Sequence, residues 1–345
     1  MIYDIKDIPD DLQVYFEPAP QLGLEPTVDM YVEHLVQVFR EIHRVLRDDG
    51  TVWLNLGDSY AVNGGARTYG STDAAVGRAS APGKPRRAPE GYKNKDLLGI
   101  PWRVAFALQE AGWYLRSDII WNQTNPAPES VKDRPTSAHE YVFLLTKKER
   151  YYYDAEAVKE PSKDVNAINS ATPLPPRNRR DVWEIAMQPY KGAHFAVFAP
   201  ALVEPCILAG TSARGGCPDC GTPWQRVVSK RAGPTPTADW TETLGWRPDC
   251  RHYERMDEWV ALPKQGKTEA DKAYQKRISP LVKLRAELLK NWESAPTIPC
   301  VVLDPFGGSG TTALVANRHG RAAVLIELNP EYVQLALARL GRVSE

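Results

Sequence analysis

The sequence predicts an α/β protein with a mostly parallel, doubly wound, Rossmann-like sheet. Two observations carry this prediction. Apolar segments of helical and of strand periodicity alternate through residues 27–146. Later, an apolar run at 301–303 that begins with two β-branched valines leads through a glycine-rich turn into a helical pattern and a second short strand. That order is typical of nucleotide-binding folds.

Composition narrows the class of protein. The 345 residues suffice for one large α/β domain with insertions. Lysine plus arginine number 43, as do aspartate plus glutamate, so any nucleic-acid surface must come from local clustering. No membrane span or secretion signal is visible, and we expect a cytoplasmic location. Five cysteines, with one Cys-x-x-Cys pair, favour reduced thiols and metal over disulfides.

The alternating elements of the first half can be placed in order. Thr27 is a suitable N-cap for the first helix, and Pro101 suits the first turn of the second. Helix and strand alternation of this kind favours parallel pairing. We predict helices over 27–50 and 100–111, and strands over 51–56, 114–121 and 139–146.

The glycine-rich turn has the context of a ligand-binding loop. Asp304 ends the preceding strand, and a helix is predicted over 312–318. The next strand, 322–326, stops at Glu327, where nucleotide-binding folds place an acid on ribose hydroxyls. A plain turn is the alternative interpretation. The loop lacks the Gly-Lys-Ser/Thr ending of a phosphate-binding P-loop, which argues against ATP.

Two motifs carry a family resemblance. Asp-Pro-Phe-Gly-Gly-Ser-Gly-Thr-Thr at 304–312 and Ile-Glu-Leu-Asn-Pro-Glu-Tyr at 326–332 resemble the S-adenosylmethionine site of the amino-group DNA methyltransferases. The resemblance covers Gln21 to about Arg339. It implies a methyltransferase sheet whose catalytic half precedes its cofactor half. It also implies methylation of N4 of cytosine or N6 of adenine in double-stranded DNA, with a restriction partner as a further expectation.

The resemblance implies a set of cofactor contacts in and around this loop. Asp58, just after the 51–56 strand, could equally cap a helix or be solvated, and His194 could simply start a helix. The implied contacts are Asp304, Pro305, Phe306, Gly307, Gly308, Ser309, Gly310, Thr311, Glu327, Asn329, His194, Phe195 and Asp58.

The chain divides into three predicted parts. Residues 1–210 are the first part of the methyltransferase domain, 211–295 an insertion, and 296–345 the cofactor-binding part. The insertion contains a Cys-Pro-Asp-Cys-Gly knuckle and a charge-rich helical stretch at 263–291, which make it a candidate for target recognition.

The knuckle predicts structural zinc in a zinc-ribbon-like insertion. Thiolates two residues apart can chelate one tetrahedral ion, and a second cluster follows at ribbon-like distance. In the resembled family the second pair is more often two cysteines, and the site would be incomplete if its histidine faced solvent. A redox pair is the alternative. The predicted ligands are Cys217, Cys220, Cys250 and His252.

Nucleic-acid contacts are predicted in the basic segment at 177–183. Arginines near a tryptophan can bind phosphates and stack on a base, although ordinary surface charge is an equal alternative. The residues are Arg177, Arg179, Arg180 and Trp183.

The catalytic residues are unknown at this point. The resembled family uses a Ser/Asn/Asp-Pro-Pro-aromatic tetrapeptide to accept hydrogen bonds from the base's amino group. The Pro-Pro here, at 175–176, follows leucine and precedes arginine. In that family the tetrapeptide and the strand that carries it stand shortly before the segment that matches residues 21–23, and only residues 1–20 precede that segment here. Two expectations follow: the natural protein begins upstream of Met1, or residues 2–8 partly fill the place of this missing strand in a weakened or inactive relative. A non-catalytic relative that binds cofactor and DNA, or an RNA or protein methyltransferase, are the rival hypotheses.

Overall fold

The computed structural model describes residues 22–61, 88–89, 91–162, 174–188, 198–235, 238–263 and 271–341. Its first half contains helices α1 (Val28–Val45) and α2 (Ile100–Glu110) and strands β1 (Thr51–Leu56), β2 (Tyr114–Asn122) and β3 (His139–Thr146). These elements were all predicted. Thr27 caps α1 by accepting the Met30 N–H at 3.2 Å. The helix ends at Val45 rather than near Gly50, because the backbone at Leu46 turns extended.

The main sheet is mixed rather than mostly parallel. A short strand, β4 (Val182–Glu184), completes the order β1-β3-β2-β4. β3 runs antiparallel to both β1 and β2, and the β2–β4 pair is parallel. The α/β class is confirmed, but the predicted parallel pairing is wrong for this sheet. Residues 123–138 join β2 to β3 without a crossover helix, so β3 returns antiparallel.

Helices cover both faces of this sheet. On one face, α1 and α2 pack against Leu54, Phe143 and Leu145. On the other face, Trp121 and Val142 form an apolar cluster with residues of β4 and of α3 (Pro200–Gly210). Helices therefore lie on both faces of this mixed sheet, as in an α/β layer architecture.

The insertion folds as a hairpin with a helix against it. Strands β5 (Gln225–Thr235) and β6 (Ala238–Arg247) pair antiparallel, and α4 (Asp271–Trp292) lies beside them. Trp224, Leu288 and Trp292 form its small core. The hairpin was not predicted from the sequence.

A second sheet carries the glycine-rich loop. Its order is β7 (Val301–Asp304), α5 (Thr311–Arg318), β8 (Ala322–Leu325) and α6 (Pro330–Arg339). β7 and β8 are parallel, with Asp304 opposite Leu325. This strand, loop, helix and strand unit is the predicted one.

Helix α3 contacts both sheets, and these contacts show how the strands of the two sheets are oriented. At the carboxyl end of α3, a Cβ added to Gly210 would lie 2.5 Å from Thr51 Oγ1, at the start of β1. Thr211 O accepts a hydrogen bond at 3.1 Å from Arg321, which immediately precedes β8. Farther back along α3, Leu202 shares an apolar cluster with Trp53 of β1, and Val203 and Ile207 share another with Ala323 of β8. β1 and β8 therefore both run antiparallel to α3, so β1, β2, β7 and β8 end toward one side of the protein, here called the carboxyl edge. The opposite side is the amino edge. None of the described helices is both long and apolar enough to cross a membrane.

Candidate active site

Asp304 shapes the loop that follows β7. Its Oδ1 accepts the Phe306 N–H at 2.9 Å, and its Oδ2 accepts the Thr312 hydroxyl at 2.5 Å. Because the two partners flank the glycines, a single carboxylate holds both ends of the loop. Charge-assisted bonds of this kind are short and strong.

The glycines allow the loop to pass close to its neighbours. Gly310, at φ +78°, would place a Cβ 2.9 Å from the Ala336 Cβ, and Gly307 would place one 3.0 Å from the Leu325 Cβ. A side chain at either position would therefore require the neighbours to move. The left-handed conformation of Gly310 adds a cost for any other residue.

Arg339 of α6 fixes the far side of the loop, and the sequence had given no sign of this role. Its Nη1 donates to Ser309 Oγ at 3.0 Å and to Thr311 Oγ1 at 2.8 Å. Ser309 and Thr311 are both buried. The loop is therefore braced from β7 by Asp304 and from α6 by Arg339.

Glu327 lies beside the loop, as predicted. Its Oε2 accepts the Gly308 N–H at 2.7 Å, and its Oε1 accepts the Asn329 N–H at 2.8 Å. Each carboxylate oxygen has further lone-pair capacity, so a ribose hydroxyl could donate to the same group. The Asn329 side chain instead caps α6, by accepting the Glu331 N–H at 2.9 Å.

An apolar surface borders this carboxylate. Phe306, Ile326 and Leu328 are exposed by 45%, 50% and 72%. Exposed large apolar side chains at the carboxyl end of parallel strands are suited to cover an aromatic ligand. The glycine-lined cradle, the Glu327 carboxylate and this apolar surface together fit S-adenosylmethionine.

The remaining predicted cofactor residues are not all in reach of this loop. Asp58 Oδ1 accepts the N–H groups of Ser59 at 2.8 Å and of Ile100 at 3.1 Å, and so caps α2. This favours the capping interpretation of Asp58. His194 and Phe195 lie outside the described residues. Pro305 follows Asp304 at the start of the loop.

Strand edges are left open between the two sheets. Within the described residues, β7 pairs only with β8, and β1 pairs only with β3. Val301 and Leu303 of β7 are exposed by 62% and 37%. Strands of parallel sheets are normally covered on both faces. Residues 2–8, named above as a partial replacement for the missing strand, lie outside the described residues.

The four predicted metal ligands lie together. One ligand atom from each of Cys217, Cys220, Cys250 and His252 lies within 4.8 Å of the other three. His252 is an exposed residue, but its Nδ1 is 3.5 Å from Cys217 Sγ, so the ring nitrogen faces the cluster.

The backbone around the first pair has the form of a metal knuckle. The Gly221 N–H donates to Cys217 O at 2.8 Å, and Gly221 has φ +69°. Burial opposes ionisation of Cys220, but hydrogen bonds from Thr222 and from the neighbouring thiols lower its pKa to about 6. Arg47, at the carboxyl side of α1, donates to Cys220 O at 2.5 Å and ties the knuckle to the main domain.

The arginines predicted to contact nucleic acid lie at the amino edge, away from the glycine-rich loop. Arg177 Nε and Arg180 Nε both donate to Glu160 Oε1 at 2.8 Å. Arg179 lies over the Trp183 ring, with its guanidinium carbon 4.6 Å from the ring centre. Trp183 is 4% exposed and belongs to the sheet core. A cavity of about 210 Å³ adjoins this group.

A polar group at the carboxyl edge was missed by the sequence analysis. Asn55 of β1 and Gln123, directly after β2, both donate to the carboxylate of Glu140 in β3. No motif marks these residues, because they are far apart in sequence. The alternation of side chains along a strand could have placed them on one face only if the strand order had been known.

Comparison with known proteins gives the family. A profile of the DNA methylase family matches residues 15–220 and 299–338. The type II methyltransferase M.SmaI of Serratia marcescens is 51% identical over 322 residues, or 93% of this chain and 78% of that protein. M.Cfr9I of Citrobacter freundii is 39% identical over 320 residues, or 93% and 74%. Among solved structures, the PvuII cytosine-N4-specific DNA methyltransferase has 16% identity and a TM-score of 0.48, with 92% and 73% covered.

The chain belongs to the DNA methylase family of N6 and N4 methyltransferases. It is an S-adenosylmethionine-dependent DNA methyltransferase. The resemblance seen in the motifs at 304–312 and 326–332 is thereby confirmed. The profile leaves out residues 221–298, which overlap the predicted insertion.

Proposed function

We propose that this protein transfers a methyl group from S-adenosylmethionine to an exocyclic amino group of a base in double-stranded DNA, either N4 of cytosine or N6 of adenine. The observation that carries the proposal is the braced loop at 304–312 beside the Glu327 carboxylate. The type II names of its relatives support a role in a restriction-modification system with a cognate restriction partner.

The chain's residues hold the cofactor in the proposed site. Glu327 binds the ribose hydroxyls, and the exposed Phe306, Ile326 and Leu328 cover the adenine. The start of α5 faces the amino acid end, where a helix N-terminus favours a carboxylate. Asp304 and Arg339 act by keeping the loop in shape.

The reaction needs alignment more than it needs acid or base strength. The bound cofactor supplies an electrophilic sulfonium methyl. The amino nitrogen's lone pair forms the new N–C bond, the S–C bond breaks with its electrons returning to sulfur, and one proton leaves the methylated nitrogen for solvent. Holding nitrogen, carbon and sulfur in line supplies most of the rate. The base must leave the duplex to reach the methyl group.

Transfer of labelled methyl groups to unmethylated genomic DNA tests the proposal. We expect label in DNA with the wild-type chain. A double variant, Asp304→Ala with Glu327→Ala, should give none. Glu149→Gln, an exposed carboxylate at the amino edge, serves as the matched control and should retain the wild-type rate. Duplex DNA, RNA and protein are offered in parallel, so label in RNA or protein alone would contradict the DNA assignment.

One observation favours a second candidate. The 345 residues contain no Ser/Asn/Asp-Pro-Pro-aromatic tetrapeptide. A relative that binds cofactor and DNA without transferring methyl would fit that sequence. The labelling experiment separates the two hypotheses when it is combined with calorimetry, because the second one requires S-adenosylmethionine binding with no label in any substrate.

The cysteine and histidine cluster supports structural zinc as a further part of the proposal. Three thiolates and one imidazole nitrogen are a tetrahedral donor set that zinc favours. The ion would join the knuckle at 217–221 to the segment that follows β6. Because Arg47 and a β-bridge from Gly216 to Ile298 fasten the knuckle to the domain, zinc would stiffen the base of the insertion.

A further inference from the structure

The Glu140 carboxylate is held at the carboxyl edge by amides from two neighbouring strands. Asn55 Nδ2 donates to Oε2 at 3.0 Å, and Gln123 Nε2 donates to Oε1 at 3.1 Å. Asn55 Nδ2 also donates to Tyr141 O at 3.1 Å, which fixes its own orientation. The two carboxylate oxygens of Glu140 are thus each held by one amide, from Asn55 in β1 and from Gln123 directly after β2.

The network lies on the same face of the sheet as an apolar cluster. Side chains two residues apart on a strand share a face, so Asn55, Glu140 and Gln123 lie on the face of Trp53, Val142 and Trp121 respectively. Those three side chains belong to the apolar cluster under α3. The carboxylate therefore lies at the border between this buried apolar cluster and the polar surface of the carboxyl edge.

Gly57 leaves room for the Glu140 side chain. A Cβ on Gly57 would lie 3.4 Å from both Cγ and Cδ of Glu140. A Cβ at this position would be in ordinary van der Waals contact with Glu140, so the two residues are close neighbours. The carboxylate and the glycine-rich loop at 304–312 both occupy the carboxyl edge, because β1, β2, β7 and β8 end on that side.

The loops that follow β1 and β2 are fastened to each other next to the network. Arg134, in the loop after β2, lies over the ring of Tyr60, with its guanidinium carbon 4.0 Å from the ring centre. Its Nη1 also donates to Glu129 Oε2 at 2.7 Å. The contact between Arg134 and Tyr60 thus joins the loop after β1 to the loop after β2.

The chemistry of the network is that of a hydrogen-bond acceptor. Glu140 is half-buried, and within the described part of the chain no Lys, Arg or His nitrogen forms an ion pair with it. Each of its oxygens has accepted one amide N–H and retains capacity for another donor. A carboxylate accepts hydrogen bonds and does not donate them, so an N–H group is the partner that this site can take.

We propose that Glu140 is a substrate-binding residue, whose carboxylate accepts a hydrogen bond from the amino group of the target base after the base has left the duplex. This inference rests on the proposed function. An amino-bearing edge of cytosine or adenine supplies the donor that the carboxylate requires. A keto oxygen at the same place, as in thymine, would be repelled. Glu140 thus adds selectivity for bases that carry an exocyclic amino group.

The test compares Glu140→Gln with Glu149→Gln in the full chain. Glu149 lies beyond the other end of β3 and is exposed, so it controls for the loss of one negative charge. We expect Glu140→Gln to lower kcat/KM for unmethylated genomic DNA by about 10- to 100-fold, the range of a hydrogen bond to a charged group. Its calorimetric Kd for S-adenosylmethionine should stay within about twofold of wild type, because the proposed contact of Glu140 is with the base and not with the cofactor.

Further readouts separate substrate binding from a structural role. Rates are normalised to the fraction of protein that binds S-adenosylmethionine, so partial unfolding of the variant cannot imitate the effect. Wild-type kcat/KM in the normalised Glu140→Gln protein would overturn the inference while leaving the proposed function intact. Absence of label from wild-type protein in DNA would overturn both. A parallel loss of cofactor binding and methyl transfer would assign Glu140 a structural role and overturn the inference.

Discussion

Two polar groups at the carboxyl edge differ in how they are built. In the glycine-rich loop, Asp304 and its partners Phe306 and Thr312 lie within eight residues of one another. In the Glu140 network, Asn55 and Glu140 are 85 residues apart. The first arrangement is local and forms a motif that a sequence displays. The second depends on strand order and register, and only the folded chain brings it together.

The comparison predicts that the local loop is the more sensitive to single changes. Asp304→Ala removes two acceptor contacts at once and leaves the Phe306 N–H and the Thr312 hydroxyl without their partner. We expect S-adenosylmethionine binding to weaken by about 100-fold or more, from the loss of two charge-assisted hydrogen bonds. Calorimetry measures the effect. Asp304→Asn keeps one acceptor oxygen, so its affinity for S-adenosylmethionine should fall between those of the wild type and Asp304→Ala. Equal binding by these three proteins would contradict the role of Asp304.

A second change tests the close packing of the loop. Gly310→Ala combines a left-handed φ of +78° with a Cβ 2.9 Å from Ala336. We expect a loss of about 1–3 kcal/mol in the free energy of unfolding. Gly320→Ala is the matched control, because its φ is +70° and nothing lies within 4 Å of its Cβ position. Denaturant titration of both variants separates strain from steric overlap, and an equal loss in the two would remove the overlap from the account.

The metal proposal extends the comparison to the insertion, where ligands from 217–220 and 250–252 meet. Cys217→Ser should lower bound zinc from about one equivalent to near zero, since structural sites need all four ligands. Elemental analysis of purified protein measures the content. Cys206→Ser is the control, because that thiol lies in the main domain and donates to Leu202 O at 3.3 Å. Zinc below a tenth of an equivalent in wild-type protein purified in zinc-supplemented medium would contradict the site.

Arg339 offers a smaller perturbation of the same loop. Arg339→Met removes the donors to Ser309 and Thr311 but leaves the Asp304 contacts in place. We expect S-adenosylmethionine to bind about 3- to 10-fold more weakly, as loss of one or two hydrogen bonds implies. Arg318→Met, an exposed arginine at the end of α5, is the control in calorimetry. A larger effect from Arg339 than from Asp304 would reverse the order of importance proposed here.

The smallest expected effect concerns the predicted DNA contact at the amino edge. If Arg179 binds one phosphate, Arg179→Met should reduce the slope of log K against log salt by about 0.9. Arg150→Met, exposed near the same edge, is the control. Filter binding at several salt concentrations measures the slope, and an unchanged slope would assign Arg179 to packing on Trp183 alone.

These features also explain how far the sequence could be used. Thr27, Pro101 and the glycines at 307–310 act on their neighbours, so helix starts and the loop could be predicted. The direction of β3 could not be predicted, because the sequence of the loop between β2 and β3 does not show which strands β3 pairs with. Strand β4 has three residues and no periodicity. The roles of Arg339 and Glu140 depend on contacts between distant segments.

The metal cluster shows an intermediate case. The spacing of Cys217 and Cys220 predicted a knuckle, and the position of Cys250 and His252 suggested its closure. Whether His252 faced the cluster could not be known, since a histidine near a turn has many available directions. The structure places its Nδ1 beside Cys217, although the residue as a whole is exposed.

Mass spectrometry of nucleosides tests the central claim most directly. Unmethylated genomic DNA is incubated with the 345-residue chain and S-adenosylmethionine carrying a deuterated methyl group, then digested to nucleosides. The account predicts deuterated N4-methylcytosine or deuterated N6-methyladenine, and its absence with the Asp304→Ala and Glu327→Ala double variant. Deuterium at cytosine C5, or in no nucleoside while the protein binds the cofactor, would contradict it.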